Sequence, residues 1–519
     1  MNKIKHLNYY RLVILSSILI SISRLDIKSG ILSFLGFVPL FYFFDQKPNK
    51  KQIIIAASIW ASIYNLIVLH FISLVTLPGY ILMFGLFSFY FSILFLLINF
   101  GWKMLDKSRY FVFVIFWIGF ELLQNYGEFR FPWFNLGYSI VQFDTLIQVA
   151  EIGGVYLVSL LIILMNISLY ILIKHLLLIR RINNYLVKKI NKLYLLFPLL
   201  IISLWFTYGN FLRENIKIEN TAKKATIIQG NISQEIKWEH SSKDSILHSY
   251  FSLSKKASAG TDLIIWPESA IPGYFLRKYS LKNKIVRYFK KLEKPLFSGF
   301  PHYKPNKEDV SPNKYLFYNS ASLINDDGKI DTIYKKNILV PFGERIPFLK
   351  YFPFLWDIHL GQANWEYGTE IQKYRLDDVQ FTPLICFEIA FPQFTAKLAD
   401  QDINFMINLT NDAWFKKTTG TYQHAMMTKM RAIETRTQIF RAANTGISMI
   451  VMPDGKIFNR TNLFETTSIS APIVKKNKKT FFVKYNKYIR NLIIYISLSL
   501  IFILFIKRLL PKMNWRRKF

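Results

Sequence analysis

Eight long apolar runs divide the chain. They lie near Leu12–Leu25, Gly30–Phe44, Ile53–Leu77, Tyr80–Leu105, Tyr110–Leu123, Val155–Leu178, Leu193–Tyr208 and Leu492–Ile506. A helix that crosses a bilayer needs about 20 apolar residues. The first, second and fifth runs fall short of that, and the first two could instead form a re-entrant pair. Between the seventh run and the eighth the pattern changes to short β-type runs alternating with amphipathic helical stretches. Strands are expected at Thr226–Ile228, Asp262–Trp266, Leu296–Gly299, Phe381–Cys386 and Phe405–Leu409. Hairpins are expected around Asn325-Asp326-Asp327-Gly328 and Pro453-Asp454-Gly455. Helices are expected at Ser241–Ala257, Leu281–Leu292, Phe394–Ala399 and Gln423–Thr437. The expected architecture is an α-helical membrane bundle of about eight transmembrane helices joined to an α/β layered domain. The divisions are residues 1–210, 211–486, and 487–519 for a last helix and a basic tail.

Composition sharpens this picture. Hydrophobic residues make up 52 % of the chain, with 47 Phe and 29 Tyr, and the mean hydropathy is +0.21. That is high for a soluble enzyme of this length. The formal net charge is +33. Its placement argues against nucleic acid as a partner, because the cations flank apolar runs instead of lining one polar face. Lys3, Lys5 and Arg11 precede the first run, and Lys47, Lys50 and Lys51 follow the second. Lys103, Lys107 and Arg109 follow the fourth, Lys174 to Lys192 follow the sixth, and Lys507 to Lys518 end the chain. The connection Ser73–Gly79 carries no charge. This alternation puts both termini in the cytoplasm and residues 211–486 on the outer side, the periplasm of a bacterium-like cell with the bundle in its inner membrane. The first run lacks a small-residue cleavage site and is expected to stay. The loop Gln124–Thr145 is rich in aromatics (Phe129, Phe131, Trp133, Phe134, Tyr138). It reads either as an interfacial belt or as part of a lipid doorway beneath the outer domain.

Candidate chemistry centres on Cys386, the single cysteine, at the end of an apolar strand. It excludes an intrachain disulfide and a Cys-rich metal site. There is no Gly-rich phosphate loop and no His-x-x-x-His pair, so neither a metal nor a cofactor is expected. A thiol is a strong nucleophile only as thiolate, and it needs a base or a positive field. Glu268, in Trp266-Pro267-Glu268-Ser269, ends another strand and could take the proton. Lys336 precedes Val340-Pro341-Phe342-Gly343-Glu344, and its ammonium could stabilise a thiolate and an oxyanion.

These three segments together resemble the Glu-Lys-Cys pattern of the nitrilase superfamily. With flanking membrane helices, the chain is similar to the apolipoprotein N-acyltransferase family. Gln229-Gly230-Asn231 with Trp238, Asn411-Asp412-Ala413-Trp414-Phe415, Gln423-His424, Arg431 to Glu434 and Arg441 to Gly446 fit the same family in order. Lys336 is in register, eight residues before Glu344. The resemblance implies an αββα sandwich and a two-step acyl transfer. Glu268 would be the base, Cys386 the nucleophile, and Lys336 with a backbone N–H the oxyanion partners. It implies a phospholipid donor, typically phosphatidylethanolamine, a diacylglyceryl apolipoprotein acceptor, and a monomer. Glu344 and Glu388 would support the triad, Phe387 and Trp238 would line the acyl or head-group pocket, and Trp414 and Arg441 read as structural. Ile338 stands where many members carry His, Lys416 where Gly is usual, and Thr421 where Pro is common. The first implies that this His is not needed for the chemistry, and the other two bear on a loop near the site and leave the triad intact. A membrane-anchored amidase and a transporter with an outer cap are the competing readings. The second would put ionisable residues inside the spans, of which Glu121 is the clearest.

Overall fold

The computed structural model describes residues 2–25, 28–181, 192–237, 242–307, 312–357, 364–476 and 479–509. Its N-terminal helices are α1 (Asn2–Ile22), α2 (Val38–Asp45), α3 (Lys50–Val68), α4 (Ile72–Val75), α5 (Leu77–Met104), α6 (Arg109–Leu123), α7 (Ala150–Arg181) and α8 (Lys192–Glu214). In the two-sheet region lie α9 (Gln234–Lys237), α10 (Lys243–Ala257), α11 (Tyr279–Leu292), α12 (Pro392–Ala399) and α13 (Thr419–Thr435), and α14 (Phe481–Leu509) follows.

Five of these are long and apolar enough to cross a membrane: α3, α5, α7, α8 and α14. The second apolar run is not a spanning helix. It folds as a 3₁₀ segment, Lys28–Phe34, and then the eight residues of α2, only about 12 Å of helix against a hydrocarbon core of about 30 Å. The 15 residues of α6 reach about 22 Å. Both are largely buried, packed on each other where Phe37 and Phe41 meet Phe113 at 5.1 and 4.8 Å between ring centroids, and on the longer α7 where Phe41 meets Tyr170 at 5.5 Å. Helices that short can pack inside a bundle because protein, not lipid, surrounds them. The cations at 182–191 and in the tail from 510 onward lie outside the described residues.

The β-strands are β1 (Asn220–Gln229), β2 (Leu263–Ile265), β3 (Leu296–Pro305), β4 (Tyr315–Ile324), β5 (Tyr334–Lys335), β6 (Tyr374–Leu376), β7 (Val379–Ile385), β8 (Phe405–Thr410), β9 (Gln438–Ala443), β10 (Met449–Val451), β11 (Ile457–Arg460) and β12 (Thr467–Val474). They form two six-stranded sheets, ordered β12-β1-β2-β3-β4-β5 and β11-β10-β9-β8-β7-β6. Each has a parallel centre, β1-β2-β3 in one and β7-β8-β9 in the other, edged by antiparallel strands. Strands buried on both faces read as continuous apolar runs, as Leu263-Ile264-Ile265 does. The sheets face each other across one core that includes Ile227, Ile265, Phe297, Phe381, Ile407 and Phe440. Helices α10 and α11 cover the outer face of the first sheet. Helices α12 and α13 cover the second, and their apolar residues belong to the same continuous core as the membrane bundle. The second sheet is therefore held against the bundle by a shared interior.

Candidate active site

Each sequence-predicted reactive residue follows the end of a strand. Glu268 comes three residues after β2, Lys336 directly after β5, and Cys386 directly after β7. The turn that carries Glu268 lies close against β3. A Cβ on Gly299 would meet the Glu268 Cα at 2.8 Å, so a larger residue there would push the carboxylate out of place. Cys386 has a φ of 51°, and Ser269 and Phe342 have φ of 49° and 63°. All three line one cavity. Left-handed backbone at non-glycine residues costs about 1–3 kcal/mol each and persists only where its surroundings enforce it.

That cavity, about 1060 Å³ with its open mouth included, contains Glu268, Glu344, Cys386 and Phe387. Its opposite wall comes from the bundle and the loop before α7: Phe71, Ile72, Val75, Met83, Phe131 and Trp133. The aromatic loop thus contributes directly to the cavity. Phe131 and Trp133 stack on Phe387 at 5.7 and 6.5 Å, and Trp133 Nε1 donates to Gln423 Oε1 at 2.6 Å. Trp414 also lines the cavity. Trp238 lies outside the described residues.

Lys336 is fully buried and lies 2.8 Å from Glu344 and 4.0 Å from Glu268. Burial opposes an ammonium, but Glu344, then Cys386 and Glu268, raise its pKa above the usual value, so it stays charged. Glu344 also accepts from the Val340 N–H at 2.9 Å. It holds both the cation and the loop that carries it. The Cys386 thiol is pushed up, first by burial and then by Glu268, against the pull of Lys336. A free thiolate would add a negative charge to a buried pocket that already holds two carboxylates and one ammonium. The thiol can ionise there only as its proton moves to a base. Cys386 opens a helical turn, and the first N–H groups of such a turn have no carbonyl partner within it. They are available to an oxyanion.

Glu388 is buried and accepts four hydrogen bonds: from Ile385 N–H (2.7 Å), Tyr334 OH (2.7 Å), Asn337 N–H (2.6 Å) and Ile338 N–H (3.1 Å). It ties the strand before Cys386 to the segment after Lys336. Burial pushes its pKa up to about 7 against those donors.

Two groups escaped sequence reasoning. Asn319, in β4, donates to Glu268 at 2.6 Å and to Glu344 at 3.3 Å, bridging the two carboxylates. A buried Asn amid Tyr-Asn-Ser-Ala-Ser was the available signal, weak because that strand carries several polar residues. The second is the joining of Asp412, His424 and Arg441, read above as fitting the family, with Asn408 into a network behind Cys386. Its carbonyl oxygen lies 3.2 Å from His424 Nε2 and accepts from Asn408 Nδ2 at 3.4 Å. Asp412 holds His424 Nδ1 at 2.8 Å and Arg441 at 2.7 Å, and Arg441 also donates to Asn408 at 2.7 Å. Burial opposes the Asp412 charge, yet Arg441 and His424 hold its carboxyl well below the usual range. Through Asn408 and Asp412, Arg441 thus supports the peptide of the turn that Cys386 opens. Glu121, the ionisable residue inside a helix, accepts from Trp117 Nε1 at 3.0 Å and Leu136 N–H at 2.8 Å. It anchors the aromatic loop and lies in no cavity described above.

Comparison with known proteins covers both halves of the chain. Residues 224–477 match the carbon-nitrogen hydrolase family, and residues 16–168 match the apolipoprotein N-acyltransferase N-terminal domain. A protein of Geobacter metallireducens named apolipoprotein N-acyltransferase is 34% identical over 378 residues, 72% of this chain and 70% of that protein. Proteins of the same name from Chlorobaculum tepidum and Rickettsia prowazekii are 28% and 29% identical, over 71% and 78% of this chain and 72% and 77% of theirs.

Proposed function

The chain belongs to the apolipoprotein N-acyltransferase family, and from that premise we propose how its cavity moves an acyl chain. The protein is a membrane-embedded acyltransferase of lipoprotein maturation. Glu268 takes the Cys386 proton while sulfur attacks the sn-1 ester carbonyl of a phospholipid. Lys336 and the N–H groups of the turn that Cys386 opens stabilise the oxyanion. Collapse expels the lysophospholipid, whose alkoxide takes the proton back from Glu268, and leaves a thioester on Cys386. The α-amine of an S-diacylglyceryl cysteine then attacks the thioester. Glu268 accepts the amine proton, the thiol is restored, and an amide forms. The kinetics are ping-pong. Glu344 orients Lys336, and Phe387 with Phe131 and Trp133 shields the thioester from water.

The observation that carries this reading is the two-sided cavity. Glu268 and Cys386 line its polar side, with Lys336 buried 4.0 Å from Glu268, and its other side is the apolar wall of the bundle. Each buried CH₂ is worth about 0.8 kcal/mol. A chain of 16 carbons drawn into water would cost roughly 10 kcal/mol or more, and an apolar wall beside the sulfur removes that cost. Phosphatidylethanolamine is the proposed donor. The two-sheet domain faces the periplasm from the inner membrane, both termini are cytoplasmic, and the protein works as a monomer.

Intact mass of the purified protein after incubation with phospholipid tests this. One acyl adduct is expected on wild type and none on Cys386→Ala. A diacylglyceryl lipopeptide should remove the adduct and gain its mass. Free fatty acid as the sole product would make the enzyme a hydrolase and refute the transfer step.

A further inference from the structure

Two recesses on the bundle share no lining residue with the catalytic cavity. The first, about 1160 Å³ with its open mouth, is an apolar groove between α5, α6 and α14, lined by Leu94, Phe120, Leu123, Ile494 and Leu498 among others. The second, about 930 Å³ with its mouth, is lined by Gln393 and Lys397 of α12 and by Asn486, Lys487 and Arg490 of α14. Tyr126 lines both. One stripe of α14 also runs through both, because residues three and four apart share a helix face. Lys487 and Arg490 stand in the upper recess, and Ile494, Ser497, Leu498 and Ile501 in the lower. From Ile493 to Ile501 this face is apolar apart from Ser497 and extends about 12 Å.

The upper recess is cationic and lacks a counter-charge. No carboxylate lines either recess. Among the described residues none of Lys397, Lys487 and Arg490 is in an ion pair. Arg490 donates to the uncharged Asn491 Oδ1, at 3.1 and 3.0 Å, and stands against the Tyr126 hydroxyl. We propose that these joined recesses bind one anionic phospholipid, its phosphate held by Lys397, Lys487 and Arg490 and an acyl chain laid in the α5–α6–α14 groove. A zwitterionic head group would bring its own ammonium among three cations, so the charge favours a net-anionic lipid. A free anion would leave the apolar groove unfilled.

The site lies behind the reactive turns. Ile338 and Phe391 line the head-group recess. The N–H groups of both are bonded to Glu388, Ile338 to its carboxylate at 3.1 Å and Phe391 to its carbonyl at 3.2 Å. The lipid therefore packs against the two segments that carry Lys336 and Cys386 without reaching the sulfur.

Native mass spectrometry of the full chain tests the proposal. The Cys386→Ala background is used, so no lipid is consumed and a failure of the acyl-transfer reading leaves the result unaffected. With equimolar phosphatidylglycerol and phosphatidylethanolamine of identical chains, retention of one phosphatidylglycerol is expected. Lys397→Gln, Lys487→Gln and Arg490→Gln combined should reduce that preference by roughly a hundredfold, at about one factor of five per cation. Lys397→Arg with Lys487→Arg should keep it. Leu498→Trp, which fills the exposed groove, should lower retention with the cations intact. Equal retention of the two lipids by the parent chain, an unchanged preference in the triple Gln variant, or full retention in Leu498→Trp would overturn the site.

Discussion

Helices α11 and α13 occupy equivalent layers of the two-sheet domain and live in opposite surroundings. Of 14 residues in α11, only Ile285 and Phe289 are buried, and Lys284, Arg287, Lys290 and Lys291 face water. In α13, 14 of 17 residues are buried, among them Lys429, Arg431 and Glu434. Those charges bond toward the bundle. Arg431 meets Glu434 at 3.1 Å and donates to Tyr138 OH at 2.8 Å, and Glu434 accepts from the Val155 N–H at 2.7 Å. A layer exposed to water needs only one apolar stripe. A layer with protein on both sides has to find partners for most of the polar groups it buries. The bundle-side layer and the strands beneath it also carry Cys386, His424, Asp412 and Arg441, so the candidate nucleophile and the buried charges gather on the same side of the molecule.

Substitutions on the two sides should therefore differ, and the largest loss belongs at the sulfur. Cys386→Ala should lower acyl transfer by about 10⁴-fold or more with the unfolding temperature nearly unchanged, read by lipopeptide mass and thermal unfolding in detergent. Lys336→Met should follow, with a loss of about 10²–10³-fold in kcat. It should also slow iodoacetamide labelling of Cys386. The wild-type thiol is already held up by burial and Glu268, so labelling should rise with pH beyond the ordinary thiol range, and loss of the ammonium should move that rise higher.

Next comes Arg431→Met, which leaves Glu434 buried and unpaired at a cost of about 3–5 kcal/mol, measured as a fall in unfolding temperature. Burial already raises the Glu434 pKa to about 7. Below that pH the carboxyl can take up a proton and become neutral, so the loss should be smaller at pH 6 than at pH 8. Adding Glu434→Gln should recover much of it. The smallest effect belongs to the water-facing layer. Lys284→Ala breaks an exposed pair with Asp244 and should leave unfolding unchanged. A large shift there, or none for Arg431→Met, would erase the contrast between the layers.

Much of this molecule was legible before any fold. The strands Asp262–Trp266 and Phe405–Leu409 announced themselves as apolar runs, and Glu268, Lys336 and Cys386 each stood at a run's end. Strand β9 was not read, because Gln438 and Arg441 interrupt its pattern. In the structure those polar groups are paired, Arg441 with Asp412 and Asn408 and Gln438 with Pro472 and Val474. Asn319 was invisible for a related reason: one amide among polar neighbours gives no periodic signal, and its partners are 51 and 25 residues away.

The sequence by itself determined the composition of the two halves, the strand ends on which reactive groups could sit, and the chemistry a lone thiol beside a base and a cation can perform. Those are local properties, set by side-chain type and by spacing of two to four residues. Only tertiary structure decided that the second apolar run, already short in sequence, breaks into a 3₁₀ segment and a two-turn helix, that Phe131 and Trp133 close the cavity, and that Arg441 and His424 hold the Cys386 peptide. These depend on which distant segments meet. A buried charge or a short helix is tolerable only when a particular partner fills the space beside it, and no pattern along the chain names that partner.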